Sequence, residues 1–308
     1  MVFDGDGNVH LTKAGKLLLQ MGQSLKGVDV LLRFRRAFGG GIYRCRDGCG
    51  FRQPTVYWSL AGTRAKRAAT LLARHACTKK AQLRVAMNGN VAKDNRRQVQ
   101  HQLKDLQTAN QVPKNFAVTW AYFAGLFDAE GHVQVPAGCN SICLYITQKY
   151  DKILHILMSF LKDEGLSSLK VYHGRDFFLL KCSKSNVSMQ TLQQLLLHGL
   201  SVKRDQAQMA LQLNAHNRWE VRDKLFHFSG QQNRYKRLDR HGMERAVKIH
   251  RLHADVRRCC NETESKLLRE ELKLLKELHE LQKLKYNCSL MSSDIRRMLN
   301  EGAHLGPL

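Results

Sequence analysis

Residues Tyr122 to Gly131 read Y-F-A-G-L-F-D-A-E-G, and a shortened copy, M-V-F-D-G-D-G, spans Met1 to Gly7. Both copies end in an acidic residue followed by glycine, so Asp6 and Glu130 hold equivalent positions. Small residues on one face of such a helix let a second helix approach closely. Two helices packed in this way would bring their terminal carboxylates together, where a divalent cation relieves the repulsion between them.

The separation between the two copies recurs elsewhere in the chain, which indicates a tandem duplication. An offset of 124 residues pairs Val9 with Val133, Leu11 with Val135, Lys79 with Lys203 and Gln82 with Gln206, and one inserted residue pairs Gln23 with Gln148.

Hydrophobic periodicity predicts the same order of helices and strands in both copies. Each copy begins with the motif helix and continues with two strands, a helix, two more strands and a helix. In the first copy the strands are predicted at 8–13, 16–23, 41–46 and 50–61, with a hairpin turn at Asp47-Gly48, and the helices at 28–38 and 64–74. In the second copy the strands are predicted at 132–137, 141–149, 169–173 and 176–183, and the helices at 152–164 and 187–197.

The motif and this order of elements resemble the LAGLIDADG homing endonuclease family. The resemblance covers roughly residues 1–213 and implies an α+β fold, in which tandem αββαββα units form a β-saddle with pseudo-two-fold symmetry. It places the first of these units, or repeats, at 1–87, a linker at 88–117 and the second repeat at 118–213. A basic helical C-terminal extension at 214–308 goes beyond the minimal family pattern.

The first motif is shorter than the second, because Met1 stands at the place of Gly125 and nothing corresponds to Trp120 through Ala124. We therefore expect a truncated first motif helix and a weakened interface between the copies. Two explanations stay open at this stage: a fragment or late-starting gene model, or a degenerate copy of the motif.

The resemblance implies a catalytic set drawn equally from both copies. Asp6 and Glu130 would bind Mg²⁺ or Mn²⁺ over the DNA backbone. The glutamines would position the attacking waters, and the lysines would stabilise transition-state charge. The predicted catalytic residues are Asp6, Glu130, Gln23, Gln148, Lys79 and Lys203.

Strand alternation predicts which sheet face meets DNA, because polar and apolar residues alternate along the first strand of each copy. A two-stranded ribbon with a polar face fits the major groove, where side chains can contact base edges. Alternation and resemblance together give the predicted DNA-binding residues Asn8, His10, Thr12, Lys16, Gln20, Arg44, Arg46, His132, Gln134, Tyr145, Lys170 and Tyr172. The alternative is that these side chains are only solvated.

Composition independently favours a nucleic-acid partner. The 308 residues include 50 Lys and Arg against 26 Asp and Glu, which gives a formal net charge of +24. Such a charge attracts polyphosphates. No run of 18 apolar residues predicts a membrane span. Nine cysteines without a signal peptide favour a reducing compartment, which we expect to be a chloroplast, mitochondrion or nucleus. Cys45 and Cys49 flank a predicted turn, but no second close pair completes a zinc site.

The C-terminal extension contains a leucine every seventh residue, at Leu267, Leu274 and Leu281. Glu271 and Lys285 interrupt the companion positions, so we predict a helix folded back on the body rather than a free-standing coiled coil.

The sequence thus predicts a monomeric, metal-dependent endonuclease that cuts both strands of a specific double-stranded DNA site. Two alternatives stay open: an RNA-binding intron-splicing helper (a maturase) of the same fold, and an inactive DNA-binding relic. The retention of both motif carboxylates favours the nuclease. The truncated start favours the relic.

Overall fold

The computed structural model describes residues 2–46, 55–89, 91–109, 112–113, 116–136, 140–228 and 240–300. The chain divides into two compact units, which differ from the two repeats. The first unit extends to Leu225 and contains both repeats, and the second begins at Phe226. Several positions named above lie outside the described residues. They are the predicted turn at Asp47-Gly48, the linker residues 110–111 and 114–115, and Cys49 and Ala137.

The first helix of the first unit is the short first motif helix. The helices of this unit are α1 (Val2–Asp6), α2 (Val28–Phe38), α3 (Gly62–His75), α4 (Lys80–Met87), α5 (Arg96–Thr108), α6 (Trp120–Glu130), α7 (Lys152–Asp163), α8 (Ser185–Leu197), α9 (Arg204–Leu211) and α10 (Arg218–Phe228), whose last residues pass into the second unit. The strands are β1 (Gly7–Leu11), β2 (Leu17–Ser24), β3 (Gly41–Arg46), β4 (Thr55–Ala61), β5 (Gly131–Gln134), β6 (Cys143–Gln148), β7 (Leu169–His173) and β8 (Phe178–Cys182).

The strands form two antiparallel sheets with the same topology. The order is β1-β2-β4-β3 in one sheet and β5-β6-β8-β7 in the other. Each motif helix leads directly into the first strand of its own sheet. The predicted α+β architecture of two repeated units is therefore confirmed, and α2, β3 and β7 have the predicted bounds.

Each sheet buries one face under its helices. In the first sheet the buried side chains include Leu19, Met21 and Trp58, which pack with residues from α2 and α3. In the second they include Val133, Ile146 and Leu180, which pack with residues from α6, α7 and α8. The opposite face of each sheet carries the polar positions, as the alternation along the strands predicts.

The two motif helices, α1 and α6, contact each other directly and join the repeats. The helices approach very closely at Gly5, where an added Cβ would lie 2.2 Å from the Cβ of Ala129. Real Cβ atoms do not come this close, so only glycine fits here unless the helices separate. The short first helix, although it has only five residues, therefore makes the tight contact that the small-residue pattern indicates.

The predicted linker and tail both contain structure that belongs to the first unit. Helix α5 lies within 88–117, and its Gln107 Nε2 donates to Asn8 Oδ1 of β1 at 3.2 Å. Helix α10 lies within the predicted tail, but its Val221 and Leu225 are buried in the core of the second repeat. The folded body thus extends past residue 213.

The second unit contains α11 (Arg240–Arg258) and α12 (Glu262–Asn300). Ile249 and Leu252 of α11 pack against Leu272 of α12, with Leu268 and Leu275 beside them. The heptad leucines Leu267, Leu274 and Leu281 lie outside this contact and are 50–65% exposed. Helix α12 thus packs on α11, through a stripe of residues other than the heptad leucines. No helix within the described ranges is both long enough and apolar enough to span a membrane.

The Gly5 contact predicts that replacing this helical glycine by alanine lowers the stability of the protein, although such a change in a helix usually raises it. Helix propensity alone favours alanine by about 1 kcal/mol. We expect Gly5→Ala instead to destabilise the protein by about 1 to 3 kcal/mol, because the new methyl group overpacks the interface. Thermal melts would measure the shift. Gly22→Ala is the control, because a Cβ there meets nothing within 4 Å. A more stable Gly5→Ala protein would contradict the close approach.

Candidate active site and nucleic-acid interface

The C-terminal ends of α1 and α6 bring both predicted metal ligands into one electrostatic cluster. Burial, with an additional contribution from the negative charge of Glu130, raises the pKa of Asp6 from 3.8 to about 6. Lys203, Lys79 and a hydrogen bond from Gln23 act in the opposite direction. Five of the six predicted catalytic residues therefore interact at one place, although Asp6 and Glu130 are far apart in sequence.

The two glutamines hold equivalent positions in the strand registers. Gly7 pairs with Met21 in the first sheet, and Gly131 pairs with Ile146 in the second. Gln23 and Gln148 each lie two residues beyond those partners. The predicted one-residue insertion therefore aligns them correctly.

The contacts of the two glutamines differ. Gln23 Nε2 donates to Asp6 Oδ2. Among the described residues no corresponding hydrogen bond joins Gln148 to Glu130. The two halves of the site are thus similar in backbone and unequal in side-chain contacts.

The two lysines precede equivalent helices, Lys79 before α4 and Lys203 before α9. Lys79 Nζ donates to the carbonyl oxygens of Gly5, at 2.5 Å, and Gly7. Lys203 Nζ donates to the carbonyl oxygen of Asp128. Both ammonium groups therefore bind the end of a motif helix, where free carbonyl groups favour cations.

Burial lowers the pKa of both lysines below its ordinary value, and neighbouring carboxylates oppose that shift. Asp6 and Glu130 act on both Lys79 and Lys203. The lysines are therefore shared by the two copies electrostatically. The negative charges of Asp6 and Glu130 are thus compensated by two buried ammonium groups.

Two acidic residues that the sequence analysis did not select hold the lysine-bearing turns. Asp4 Oδ2 accepts from the Cys77 amide at 2.7 Å, and its Oδ1 accepts from the Lys79 amide at 2.9 Å. Asp128 repeats the pattern with the amides of Ser201 at 2.8 Å and Lys203 at 2.9 Å. The 124-residue offset between Asp4 and Asp128 was the available sequence signal.

Among the described residues, no group of three or more His, Cys, Asp or Glu side chains is placed to hold a metal ion. Asp6 and Glu130 form a pair. Two carboxylates suit Mg²⁺ or Mn²⁺, because such ions complete their coordination with waters and phosphate oxygens. The mutual repulsion that contributes to the raised pKa of Asp6 is the interaction that a bound cation would relieve. The donor set therefore fits a magnesium-type ion.

The polar face of the second sheet contains all the DNA-binding residues predicted there. His132 pairs with Tyr145, and Tyr145 pairs with Lys181 across the strands. Residues paired in this way lie on the same face. The register also assigns the other predicted residues, Gln134, Lys170 and Tyr172, to this face. Lys181, which sequence analysis missed, lies 5.7 Å from the centroid of the Tyr145 ring.

The first sheet has the predicted polar face at most positions. Asn8 and His10 of β1 pair with Gln20 and Leu18 of β2. Gln20 lies within 3.5 Å of Ser59. Thr12 and Lys16 lie in the turn that follows β1, where the Lys16 amide donates to Thr12 Oγ1 at 3.0 Å.

Arg44 and Arg46 do not share the same face. Arg44 pairs with Val56, in line with Ile42 and Trp58, so it lies on the helix-packed side and not on the predicted DNA-binding side. The register shifts between Arg44 and Arg46, which pairs Arg46 with Thr55. A β-bulge of this kind inserts one unpaired residue and redirects the side chains beyond it.

The same register identifies an aromatic pair that sequence analysis missed. Tyr43 and Tyr57 pair directly, on the face that carries Gln20, and their ring centroids lie 5.5 Å apart. Tyr43 is exposed. The polar face of the first sheet therefore carries Tyr43, Tyr57 and Arg46 together.

The raised pKa of Asp6 predicts that this residue destabilises the protein without metal. The folded state holds the Asp6 proton more tightly than the unfolded state, so stability falls as pH rises from 3.8 to about 6. Asp6→Asn should therefore stabilise the protein above pH 6, by up to about 3 kcal/mol. The gain should vanish below the ordinary carboxyl pKa.

Thermal melts in chelator across this pH range would measure the gain. Asp176→Asn, at an exposed turn position, controls for the change in net charge. A gain that is constant with pH, or a loss at neutral pH, would contradict this interpretation.

Comparisons with known proteins give structural matches only. No protein-family model matches the sequence, and no curated protein matches it. The solved structures that resemble the chain include the LAGLIDADG meganuclease I-AabMI bound to uncleaved DNA, with 15% identity, a TM-score of 0.46, and coverage of 75% of this chain and 97% of that one. Another is the LAGLIDADG homing endonuclease I-GzeII in complex with its DNA target, with 12% identity, a TM-score of 0.44, and coverage of 90% and 94%. A third is I-SmaMI bound to cleaved DNA, with 10% identity, a TM-score of 0.38, and coverage of 89% and 93%.

Proposed function

We propose that this protein is a LAGLIDADG-type endonuclease that binds a specific double-stranded DNA site as a monomer and cuts both strands with Mg²⁺ or Mn²⁺. The observation that supports this best is the cluster of Asp6, Glu130, Lys79 and Lys203 at the ends of two tightly packed helices. Two equivalent sheets with polar faces begin at those same helix ends. One chain thus supplies two similar half-sites, as a two-strand cut requires.

The roles of the residues follow from their chemistry. Asp6 and Glu130 would hold the divalent ion, which supplies Lewis-acid polarisation of the phosphodiester and a more acidic water. Gln23, already bonded to Asp6, would orient the attacking water, and Gln148 would do the same in the other half. Lys79 and Lys203 would stabilise the charge that develops on the phosphate oxygens.

DNA binding would use the polar faces of both sheets. Fifty basic residues supply attraction to the phosphates over the whole chain. The side chains on the sheet faces would contact base edges in the major groove, where each base pair presents a distinct pattern of donors and acceptors. The aromatic and basic groups gathered there, such as Tyr43 with Arg46 and Tyr145 with Lys181, provide apolar, cationic and hydrogen-bonding contacts.

The nuclease proposal predicts that Glu130→Gln separates binding from cutting. The amide keeps the size of the side chain but does not neutralise the metal charge. We expect DNA affinity within a few-fold of the unmodified protein, and cleavage slower by about 10²-fold or more. A bound DNA sequence would first be selected from a randomised pool and then incubated with Mg²⁺.

Glu220→Gln is the matched control, because Glu220 is exposed and forms an ion pair with Lys224 on the same helix. Normal cleavage by Glu130→Gln would refute the metal-ligand role. Tighter binding of folded RNA than of DNA, with no cutting by the unmodified protein, would favour the alternative of an intron-splicing helper.

If the polar sheet faces bind DNA, two exposed lysines of equal charge should contribute differently to DNA affinity. Lys170 lies on the polar face of β7, and Lys162 lies on α7. We expect Lys170→Ala to weaken DNA binding and to reduce the slope of log affinity against log salt by about 1. Lys162→Ala should leave both unchanged. Equal effects would show that attraction depends only on net charge.

A further inference from the structure

The lysine-bearing turns lie at the junction between the two copies. Cys77, in the turn before Lys79, is buried in the core of the second repeat. Val202, in the turn before Lys203, packs against the core of the first repeat. Each turn thus contacts the copy to which it does not belong. The orientation of each lysine consequently depends on how its turn is fixed at this junction.

We propose that Asp4 and Asp128 are positioning residues that fix these turns and thereby aim Lys79 and Lys203 at the reacting phosphate. The inference rests on the proposed nuclease function and adds two residues to its machinery. Each carboxylate uses both oxygens to accept hydrogen bonds from two main-chain amides, one of which belongs to the lysine itself. We refer to these two arrangements as the carboxylate clamps.

The burial of the clamp residues supports a specific role. Asp4 is 5% exposed and Asp128 is 2% exposed. A carboxylate in such a place is costly unless several donors satisfy it, and charge-assisted bonds to amides are among the stronger hydrogen bonds in proteins. Because Asp4 and Asp128 precede Asp6 and Glu130 by two residues, each clamp ties a lysine turn to the metal-binding end of a motif helix. The clamp therefore sets the distance between lysine and carboxylate.

Two further residues, Tyr122 and Thr78, lie at the first clamp. Burial raises the pKa of Tyr122 on α6, and the neighbouring Asp4 and Cys77 raise it further. The second copy thus places a buried hydroxyl group beside the first clamp. Thr78 adds a hydrogen bond from its hydroxyl to the Asp4 carbonyl oxygen at 3.2 Å. Tyr122→Phe therefore offers a mild change that affects the first clamp and retains its carboxylate.

Strand-resolved cleavage would distinguish positioning from general structural support. The selected DNA would carry a different fluorophore on each strand, so that the two nicking rates are measured separately. We expect Asp128→Asn to slow one strand by about 10- to 100-fold, because a displacement of about 1 Å has an effect of that size. Lys203→Met should slow the same strand. Asp4→Asn and Lys79→Met should slow the other, and Tyr122→Phe should do so more weakly.

Combining variants tests whether each clamp acts through its lysine. Once Lys203 is replaced by Met, adding Asp128→Asn should cause little further loss, because the group being aimed is gone. Asp205→Asn is the matched control, since Asp205 is exposed in the first turn of α9, next to the same loop. It removes the same charge and should leave both rates unchanged.

Amide hydrogen exchange gives a second readout that does not require cleavage. Asn offers one acceptor where Asp offers two, so the amides of Ser201 and Lys203 should exchange at least tenfold faster in Asp128→Asn, with α6 unaffected. Equal slowing of both strands, or a loss of α6 protection, would show a merely structural role and overturn the inference. Unchanged rates and exchange would also overturn it. If the unmodified protein cuts neither strand under any condition, the nuclease proposal fails, and with it the catalytic meaning of the clamps.

Discussion

The close approach of α1 and α6 at Gly5 and Ala129 is the constraint on which the rest of the body depends. With no side chain on Gly5, the helix axes come near enough for Asp6 and Glu130 to interact. Because each helix runs straight into the first strand of its sheet, the same contact also joins the two repeats. A single packing interaction thus joins the two repeats and assembles the candidate active site.

This assembly concentrates charge at a partly buried place. Two carboxylates that would repel each other lie with two lysines whose charged forms are disfavoured by burial. Such sites lose stability to gain reactivity, because the groups needed for chemistry are not those that pack best. Hydrogen bonds from Gln23 and from the lysine ammonium groups offset part of that loss. A divalent cation and a phosphodiester would offset more.

Much of this organisation follows from the sequence alone. The motif, its partial repeat and the 124-residue offset predict the duplicated fold and pair Lys79 with Lys203, because symmetric positions in a duplication stay symmetric in space. Strand periodicity gives the faces of most sheet residues. The lysine turns and their clamps are harder to predict, since Asp4 and Asp128 look like ordinary helix residues until the contacting amides are known.

One prediction failed, and one contact could not be predicted, because each depends on the element packed against it. Arg44 was assigned to the DNA-binding face, but the bulge between it and Arg46 arises from pairing with β4 and is invisible in the β3 sequence. The packing residues of α12 were not predicted from its sequence. They are Leu268, Leu272 and Leu275, because these lie against Ile249 and Leu252 of α11.

In the function that we propose, the ends of α1 and α6 share one divalent-metal site. Iron-directed protein cleavage tests it most directly: Fe²⁺ replaces Mg²⁺ in the DNA-bound protein, and ascorbate and peroxide then generate radicals that cut the nearby polypeptide. We expect two cuts, one near Asp6 and one near Glu130, both suppressed by excess Mg²⁺ and both lost in Glu130→Gln. Cutting near only one of these residues, or at neither, would contradict a shared site.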